Sequence, residues 1–518
     1  MKEPFILTFT FLAALSLPAC RNEAPGAMDD PSPEVACIKV SNSGFTDLSG
    51  DTPICLMGPG EVSLTQTITG LTDGTYSLEF LAKSSGGQQA CYVEAAGRMT
   101  YPETSPDVWK KCYVRNIEVH DGQLQISLHS QSDVSSSLQL SGFQLLRDAS
   151  RQEVKPLIKG GDISELTLVE QQGGKFRLEG QEVDCIHLLK EGGMNLVRLR
   201  LYNDPGNAAY SPSCRLPAGI EDEADILSLA SRAKQEGMQI ELTFHYSDYW
   251  SNGAMQIKPH DWQQLDREQL EQAVYDYTYQ FLQKMNAQGT APEYVSLGNE
   301  IQSGILFGEA NGMDMSKLDE VNGYCSDMMH LAALLQRGSA AVRAACPDAK
   351  VILHLTMSTN VMQESYEWFL GEMEKYCVDY DVIGASYYPF WTQLTASEAC
   401  QMAEQVTDRF DKDLLFMETG YAWSSTIDDG RTQGQLSHNR PYTDLSQHGQ
   451  KEFMLELTNA IQRVPNRRVL GYIYWDPIFI PAGDAGWELG GKNIVSNSAL
   501  FDFEGNAIEV WDAYRWNR

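Results

Sequence analysis

The chain has 518 residues, an apolar fraction of 42% and a formal net charge of −31 at pH 7. This length predicts two domains, and the apolar fraction is normal for a globular protein with a large core. The negative charge argues against nucleic-acid binding, which needs a basic face. It also favours neutral ligands over polyanionic ones, although solubility alone would explain the same charge.

The first 20 residues predict an export signal. An apolar run from Phe5 to Leu17 follows a charged start and is too short to span a membrane. Its end resembles a bacterial lipobox, which implies acylation at Cys20; a secretory peptide with an incidental cysteine is the alternative. Residues 21–35 are rich in Pro, Ala, Asp and Glu and predict a flexible tether. We therefore expect an exported lipoprotein, on the outer membrane and facing the cell surface, that contacts the membrane only through its lipid.

Residues 36–150 predict an all-β sandwich. Short runs of alternating polarity, such as Val62–Ile68, Thr75–Leu81 and Leu124–Leu128, are separated by Gly, Asp, Ser and Pro, without helical periodicity. The region resembles carbohydrate-binding modules but lacks a motif diagnostic of a sugar site. Its aromatic residues could form a stacking surface, although core packing is favoured for most of them; they are Tyr92, Tyr101, Trp109 and Tyr113.

The cysteines of an exported protein can form disulfides. One or two bridges are therefore expected within the predicted sandwich, which contains Cys37, Cys55, Cys91 and Cys112. In the second half of the chain, Cys325 and Cys346 lie on apolar helical stretches. These two are predicted to be buried packing residues.

Residues 151–518 predict an α/β fold, a (β/α)₈ TIM barrel. The pattern alternates between short apolar strands and amphipathic helices, which is typical of a parallel sheet. Eight repeats favour a closed barrel over an open dinucleotide-binding sheet, whose Gly-rich turn after the first strand is missing. The candidate strands lie near residues 160–163, 196–202, 240–245, 294–299, 351–356, 382–387, 414–418 and 472–475.

Polar side chains cluster at the C-terminal ends of six of these strands. Catalytic residues of such barrels lie on that rim. Two short apolar runs lead into Glu300 and Glu418, each predicted to lie where a buried strand meets solvent. The other clusters are Arg198–Asp204, His245–Trp250, Tyr387–Trp391 and Trp475–Asp476.

Most glycoside hydrolases cleave the glycosidic bond with two carboxyl groups that face each other across a cleft. In a retaining mechanism, one of Glu300 and Glu418 protonates the leaving oxygen while the other attacks the anomeric carbon. Asn299 could hydrogen-bond a sugar 2-hydroxyl, and Arg198 or Arg200 could keep the nucleophile ionised. A structural ion pair is the alternative for either arginine, as it is for either glutamate alone.

These motifs resemble the endo-β-1,4-galactanases of glycoside hydrolase family 53 over about residues 155–518. The resemblance implies that Glu300 is the acid/base and Glu418 the nucleophile, with retention of configuration. It implies β-1,4-galactan, the neutral side chain of pectin, as substrate, and no cofactor for the chemistry; we expect a monomer. The matching segments are Gly161–Ser164, Gly193–Arg200, Phe244–Asp248, Ser296–Ile301, Ser386–Phe390, Glu418–Tyr421, Tyr474–Pro477 and Ser498–Phe503.

The resemblance also implies which side chains surround the cleaved bond, and the strand-end clusters add three more. Another neutral β-linked glycan, such as mannan or glucan, is an alternative substrate. A non-catalytic glycan-binding lipoprotein is the alternative from a different class of protein. The predicted substrate-binding residues are Asp162, Arg198, His245, Asp248, Trp250, Asn299, Tyr387, Trp391 and Trp475.

Departures from the family pattern near the predicted cleft put subsite affinity in question, although they remove no catalytic group. Asp476 replaces a common glutamate, Thr356 stands near a common aspartate, and Thr419–Trp423 differs from the usual nucleophile motif. Some bacterial relatives bind calcium in the loop after the seventh strand, and oxygen-rich loops suit this ion. The candidate ligands of a structural calcium ion are Asp428, Asp429, His438 and Asn439, with solvated loop polarity as the alternative.

Overall fold

The computed structural model describes residues 53–147, 157–210, 215–253, 255–307, 327–357, 362–432, 437–464 and 467–515, and the backbone of three short strands outside these ranges. The chain forms two compact units, Met1–Pro156 with Met454–Asn466 and Arg515–Arg518, and Leu157–Phe453 with Arg467–Tyr514. The predicted lipidation site Cys20 and the tether at 21–35 lie outside the described residues. Among the helices within those ranges, none is both long and apolar enough to cross a bilayer.

The N-terminal region consists of β-strands, as predicted. The strands are β1 (Leu7–Thr10), β2 (Cys37–Lys39), β3 (Ile54–Met57), β4 (Gly60–Thr69), β5 (Gly74–Ser84), β6 (Ala90–Ala95), β7 (Arg98–Thr100), β8 (Lys110–Val119), β9 (Gln123–Ser132) and β10 (Ser137–Arg147). One sheet has the order β1-β4-β9-β6-β7, and the other has the order β2-β10-β5-β8 with β3 also paired to β10. Alternate side chains of β9 are buried, as expected for strands with one face on a core.

The aromatic candidates of this region divide between core and surface. Tyr101 is buried. Tyr92 is half-buried and stacks on His129 with ring centroids 4.7 Å apart. Trp109 and Tyr113 each have cationic side chains over their rings.

The cysteine predictions have mixed outcomes. Cys55 and Cys112 carry free thiols, so the expected disulfides do not include these two residues. Burial raises the pKa of the Cys112 thiol to about 12, which makes it an inert packing group. Cys346 is buried, as predicted. The side chains of Cys37 and Cys325 lie outside the described residues.

Eight parallel strands close into the predicted barrel in the order β11-β14-β15-β16-β19-β20-β21-β22. They are β11 (Ile158–Asp162), β14 (Leu196–Leu201), β15 (Gln239–Phe244), β16 (Tyr294–Leu297), β19 (Lys350–Thr356), β20 (Val382–Ser386), β21 (Asp413–Thr419) and β22 (Val469–Tyr474). Each overlaps one predicted strand. Two short antiparallel pairs lie outside the barrel, β12 (Phe176–Leu178) with β13 (Gln181–Val183) and β17 (Gly304–Ile305) with β18 (Gly323–Tyr324).

Helices connect the barrel strands, and local sequence sets where several of them begin. The Asp222 side chain accepts N–H groups at the start of its helix, while Asp266 and Thr395 form capping boxes with Gln269 and Glu398. The helices are α1 (Leu166–Gln171), α2 (Cys185–Gly192), α3 (Glu223–Gln235), α4 (Arg267–Ala287), α5 (Met328–Ala345), α6 (Met362–Lys375), α7 (Pro389–Thr392), α8 (Ala396–Phe410), α9 (Gln447–Arg463) and α10 (Trp511–Arg515).

Apolar side chains fill the lower barrel, and polar ones occupy its C-terminal rim. One buried cluster joins residues of six barrel strands, namely Ile158, Leu196, Ile352, Val382, Leu415, Met417, Leu470 and Ile473. Gly471 allows β11 and β22 to approach closely. Its φ is +151°, and an added Cβ would lie 2.0 Å from the carbonyl oxygen of Ile158.

We expect Gly471→Ala to destabilise the barrel by about 2 kcal/mol or more, because the backbone conformation and the close carbonyl both disfavour a side chain. Gly371→Ala is the matched control. An added Cβ at Gly371 has no neighbour within 4 Å, and this position lies within α6. The control should be neutral or stabilising by up to about 1 kcal/mol. Urea denaturation measures both, and equal stability of the two variants would contradict the prediction.

Candidate active site

A cavity of about 320 Å³ opens at the C-terminal ends of the barrel strands and contains both predicted catalytic carboxylates. Glu300 and Glu418 are each largely buried, with 8% and 7% of their surface exposed. Both therefore face the same small space rather than bulk solvent. The lining residues are Trp250, Asn252, Gly253, Asn299, Glu300, Thr356, Met357, Ser386, Tyr388, Trp391, Glu418 and Trp475.

Glu300 is presented by a sharp turn that follows β16. Gly298 has a φ of +93°, and a Cβ there would lie 2.5 Å from the Ile301 side chain, so glycine is required. Glu300 itself has a φ of +52°, a left-handed conformation that is uncommon for this residue type. The buried amide of Gln256 holds the turn by donating to the main-chain oxygen of Asn299 at 2.7 Å.

The environment of the Glu300 carboxyl group suits an acid. Burial, and next the negative charge of Glu418, raise its pKa to about 7. The neighbouring Ser386 hydroxyl and the Gly253 N–H, which donates to Glu300 Oε2 at 3.2 Å, oppose this rise in pKa. A carboxyl group with a pKa near neutrality can both donate and accept a proton during one catalytic cycle.

The Glu418 carboxylate accepts hydrogen bonds from stronger donors than those near Glu300. Its Oε1 atom accepts from Arg198 Nη1 at 2.6 Å, and its Oε2 atom accepts from the Tyr388 hydroxyl at 2.9 Å. Hydrogen bonds from a cation are shorter and stronger than those between neutral groups. The two carboxyl groups of the cavity therefore differ in the way that a nucleophile and an acid must differ.

Arg198 connects the catalytic side chains. Besides Glu418, its guanidinium donates to Asn299 Oδ1 at 2.6 Å and to Thr243 Oγ1 at 3.1 Å. The Asn299 amide in turn donates to the main-chain oxygen of Ser251 at 2.9 Å. The rigid guanidinium thus fixes Glu418 and Asn299 relative to each other, and its role is not confined to a structural ion pair.

Charges of opposite sign but unequal number lie at and beneath the cavity floor. Six carboxyl groups contact the two buried guanidinium groups. Burial is the main cause that raises the pKa of Glu221 and of Glu241 to about 8, which leaves these two carboxyls protonated at neutral pH. The six groups are Asp162, Glu165, Glu221, Glu241, Glu418 and Asp476.

Three of these carboxyl groups resemble a metal site. One oxygen from each of Asp162, Glu165 and Asp476 lies within 4.8 Å of the other two. The Arg200 guanidinium contacts all three residues and so already supplies the cation. Burial, and next the charge of Glu165, raise the pKa of Asp476 well above its ordinary range. Asp162 is fully buried beneath the cavity rather than on its surface.

Aromatic rings form one wall of the cavity. Trp250, Trp475 and Trp487 pack in three mutual contacts, with ring centroids 5.2–5.9 Å apart. The Trp475 ring nitrogen is buried without a hydrogen-bond partner among the described residues, which leaves a donor for a ligand. Trp391 packs against Tyr388 and is 47% exposed at the rim. A large exposed ring beside a polar cavity is suited to stacking on a sugar.

Other predicted ligand-binding residues lie away from the cavity surface. Tyr387 is fully buried, donates to the Leu394 oxygen at 2.8 Å and packs on Phe416; its neighbour Tyr388 lines the cavity instead. Side chains alternate along a strand, so only one of two adjacent tyrosines can face inwards. The prediction of Tyr387 is therefore corrected to Tyr388.

Asp248 and His245 also have structural partners. The Asp248 carboxylate accepts the N–H groups of Asp204 at 3.1 Å and His260 at 2.8 Å, and so joins two loops of the rim. His245 Nδ1 lies 2.7 Å from the Ser251 hydroxyl. Burial is the main cause that lowers its pKa well below the ordinary range, so His245 is neutral.

The four predicted calcium ligands do not fit a calcium site. Asp429 is exposed and pairs with Arg431, and Asn439 uses both ends of its amide on the backbone of Ala422. Asp428, Asp429 and His438 do not converge, although residues 433–436 of this loop lie outside the described residues. These observations do not support calcium binding by this set, because the side-chain oxygen atoms of Asp429 and Asn439 already have other partners.

Four residues that help to form the site were not predicted as ligand-binding residues. Gln256 and Trp487 lie in loops, where no periodicity indicates the direction of a side chain. Tyr388 and Ser386 lie in a segment that the sequence did mark, and strand alternation around Tyr387 could have found both.

A closed (β/α)₈ barrel with two unlike carboxyl groups at its C-terminal rim defines a glycoside hydrolase. Residues 158–514 match the sequence profile of Glycosyl hydrolase family 53, and the chain belongs to this family.

Several relatives are similar over most of the barrel. The chain is 29% identical to the endo-beta-1,4-galactanase of Bacillus subtilis (strain 168), over 70% of this chain and 86% of that protein. It is 30% identical to the arabinogalactan endo-beta-1,4-galactanase of Cellvibrio japonicus (strain Ueda107), over 63% of this chain and 81% of that protein. The structure of the Ignisphaera aggregans GH53 catalytic domain aligns with a TM-score of 0.63 at 31% identity, over 71% of this chain and 98% of that one.

Replacement of Arg198 by lysine should keep the positive charge but lose the fork that holds Glu418 and Asn299 together. We expect kcat to fall by about 100-fold or more, because small displacements of catalytic groups have effects of that size. Arg232→Lys is the matched control, since Arg232 is a half-buried surface arginine that pairs with Glu170. Steady-state kinetics and melting temperature are measured, and unchanged kcat in a folded Arg198→Lys enzyme would contradict this role.

The pH dependence of hydrolysis should follow Glu300. If this group is the acid, activity needs its protonated form, so kcat/KM should fall by about tenfold per pH unit as the pH rises above about 7. Substrates with a leaving group that needs no protonation should depend less on pH in this range. The measurement is kcat/KM across pH for a natural and an activated substrate. A natural-substrate profile that stays flat well above neutrality would contradict the assignment.

Proposed function

We propose that this chain is an endo-acting, retaining hydrolase of β-1,4-galactan, with Glu300 as acid/base and Glu418 as nucleophile. The observation that carries the proposal is the unequal environment of two carboxyl groups in one cavity. The Glu418 carboxylate accepts hydrogen bonds from a guanidinium and a phenol. Burial is the main cause that raises the pKa of Glu300 to about 7, so this group can gain or lose a proton near neutral pH.

In the first step, an oxygen of Glu418 forms a bond to the anomeric carbon. The bond from that carbon to the leaving oxygen breaks, and its electron pair takes the proton of Glu300. Asn299 is placed beside Glu418 by Arg198, and its side chain can hydrogen-bond the sugar 2-hydroxyl as positive charge develops on the ring. Trp475 supplies an apolar wall and an unused N–H donor.

In the second step, Glu300 takes a proton from water, and the water oxygen attacks the anomeric carbon. The bond between the sugar and Glu418 breaks, which returns Glu418 to its carboxylate form and gives a product of retained configuration. Once Glu418 is esterified, one cause of the raised pKa of Glu300 is removed, so Glu300 ionises more readily when a base is needed. All of these steps use side chains of this chain alone.

The activities of the relatives and the charge of the chain support galactan as substrate. The relatives from Bacillus subtilis and Cellvibrio japonicus are an endo-beta-1,4-galactanase and an arabinogalactan endo-beta-1,4-galactanase. A neutral polysaccharide suits a protein with a net charge of −31. The exposed ring of Trp391 at the rim supports binding of a chain that extends beyond the cavity, as endo-cleavage requires.

Two catalytic variants test the proposal. Glu418→Gln and Glu300→Gln should each reduce release of reducing ends from linear β-1,4-galactan by about 1,000-fold or more, since each removes a group that bonds to reacting atoms. Glu182→Gln is the control, because Glu182 is an exposed barrel-unit residue paired with Lys175. Melting curves establish that all three variants are folded.

Stereochemistry and specificity are measured on the wild-type enzyme. Proton NMR during the first minutes should give the β-anomer of the new reducing end, and chromatography should give mixed oligosaccharides from galactan rather than from mannan or cellulosic glucan. Initial α-anomer would refute retention. Cleavage of mannan or glucan in preference to galactan would keep the family and change the substrate.

Export and membrane attachment through Cys20 are part of the same proposal, and they rest on the N-terminal sequence alone. A lipid-anchored enzyme at the cell surface would meet polysaccharides that are too large to enter the cell. The carbohydrate-binding role of the β-domain stays a prediction, as does the monomeric state.

A further inference from the structure

The loop after β15 carries a main-chain donor to Glu300. The Gly253 N–H donates to Glu300 Oε2 at 3.2 Å, and Gly253 also lines the cavity. The main-chain oxygen of Gly253 accepts from the hydroxyl of Ser303, which lies in the short helical turn Ile301–Ser303 directly after Glu300. The same glycine therefore contacts both the carboxyl group of the acid/base and the turn that follows it.

The buried side chain of Gln256 ties this loop to the turn after β16. Gln256 is 2% exposed, and its amide nitrogen donates to the main-chain oxygens of Asn252 at 2.8 Å and Asn299 at 2.7 Å. These two acceptors directly precede Gly253 and Glu300 in the sequence. Both N–H groups of the amide are thus used, each on the residue before one partner of the Gly253–Glu300 hydrogen bond.

Close packing fixes where the loop and the turn lie. The main-chain oxygen of Gln256 accepts from the Phe307 N–H at 2.5 Å, so the backbone of Gln256 is held as well as its side chain. An added Cβ at Gly253 would lie 1.9 Å from the Gln302 amide nitrogen. The loop thus approaches the turn more closely than a side chain at Gly253 would allow, and water does not readily replace the buried Gln256 amide.

We propose that Gln256 is a positioning residue that holds the Gly253 N–H against the Glu300 carboxylate, so that the loop after β15 orients the acid/base. Gln256 reaches Glu300 through main-chain groups rather than through the cavity. This role deepens the proposed retaining mechanism and rests on the assignment of Glu300 as acid/base.

A main-chain N–H suits the needs of a buried acid/base. Burial and the charge of Glu418 favour protonated Glu300, which helps the first catalytic step and hinders the second. In the described part of the chain, Arg198, Tyr366 and Tyr388 are the other charged or titratable groups that interact electrostatically with Glu300. A fixed neutral donor favours ionised Glu300 without adding a cation, so the group can still be protonated for the next turnover.

The first test is the pH profile of Gln256→Met, which keeps a side chain of similar length and removes both N–H donors. The alkaline limb of kcat/KM should move upwards by about 0.5–1 pH unit, because ionised Glu300 loses the Gly253 donor. We expect kcat for galactan to fall by about tenfold or more with little change in KM. An alkaline limb that stays in place in folded Gln256→Met would overturn the proposal.

Gln288→Met is the matched control. The Gln288 amide nitrogen also donates twice, to the Leu227 main-chain oxygen at 2.9 Å and to the Thr290 hydroxyl at 2.7 Å. Gln288 follows α4 and precedes β16, so it lies at the end of that strand opposite to Glu300. Its replacement should leave both kcat and the pH profile unchanged.

A second variant keeps every side chain. Incorporation of glycolic acid at the position of Gly253 replaces the peptide nitrogen by an ester oxygen, which removes the N–H donor and keeps the shape of the backbone. The alkaline limb should move in the same direction as in Gln256→Met, and the combined variant should move no further than the ester alone. Additive shifts would mean that Gln256 acts on Glu300 by another route, and would overturn its positioning role.

A third measurement does not need turnover. Infrared difference spectra of protein labelled with ¹³C-glutamate, compared with Glu300→Gln, report the ionisation of Glu300 directly. The midpoint should rise in Gln256→Met, whereas a displaced Asn299 alone would lower kcat without moving it. An unchanged midpoint in folded Gln256→Met would overturn the proposal even if galactan is cleaved. Failure of the wild type to cleave galactan would refute the proposed function, and the infrared titration would still decide the role of Gln256.

Discussion

The hydrogen bonds of Arg198 are the interaction on which the rest of the site depends. Its guanidinium is fully buried and donates to Glu418 and Asn299 at 2.6 Å each, from β14, which lies three strands from β21 around the closed barrel. A buried guanidinium without carboxylates would be too costly to desolvate, and buried carboxylates without it would neutralise. Arg198 therefore sets the catalytic geometry and also balances buried negative charge in the barrel.

The charge balance is incomplete, because the two guanidinium groups of Arg198 and Arg200 cannot neutralise six carboxyl groups. Burial relieves this excess by favouring proton uptake: the pKa values of Glu221 and Glu241 are about 8, and the pKa of Asp476 is well above its ordinary range. The protonated groups can still act as hydrogen-bond partners in the barrel floor. Charge remains concentrated near Arg198, where Glu418 needs it.

Much of the barrel was predictable because buried parallel strands are short, apolar and followed by polar residues, and each of the eight predicted strands overlaps an observed one. Glu300 and Glu418 were found because a glutamate directly after such a run is conspicuous. Sequence does not distinguish Tyr387 from Tyr388, because the end of β20 fixes which side chain faces inwards and sequence gives that end only within a residue or two. Trp487 and Asn439 lie in loops, where tertiary contacts alone decide orientation.

The division of labour between the two glutamates follows from which neighbouring groups donate to them. Glu418 accepts from a permanent cation and a phenol, so its charge is stabilised throughout. Among the described residues, Glu300 accepts from the Gly253 main-chain N–H, and the nearby Ser386 hydroxyl also lowers its pKa; these neutral groups moderate the effect of burial without cancelling it. Exchanging the donor sets would exchange the roles. The identity of the acid and of the nucleophile thus depends on Arg198 of β14, on Tyr388 and on the Gly253 N–H as much as on the two glutamates themselves.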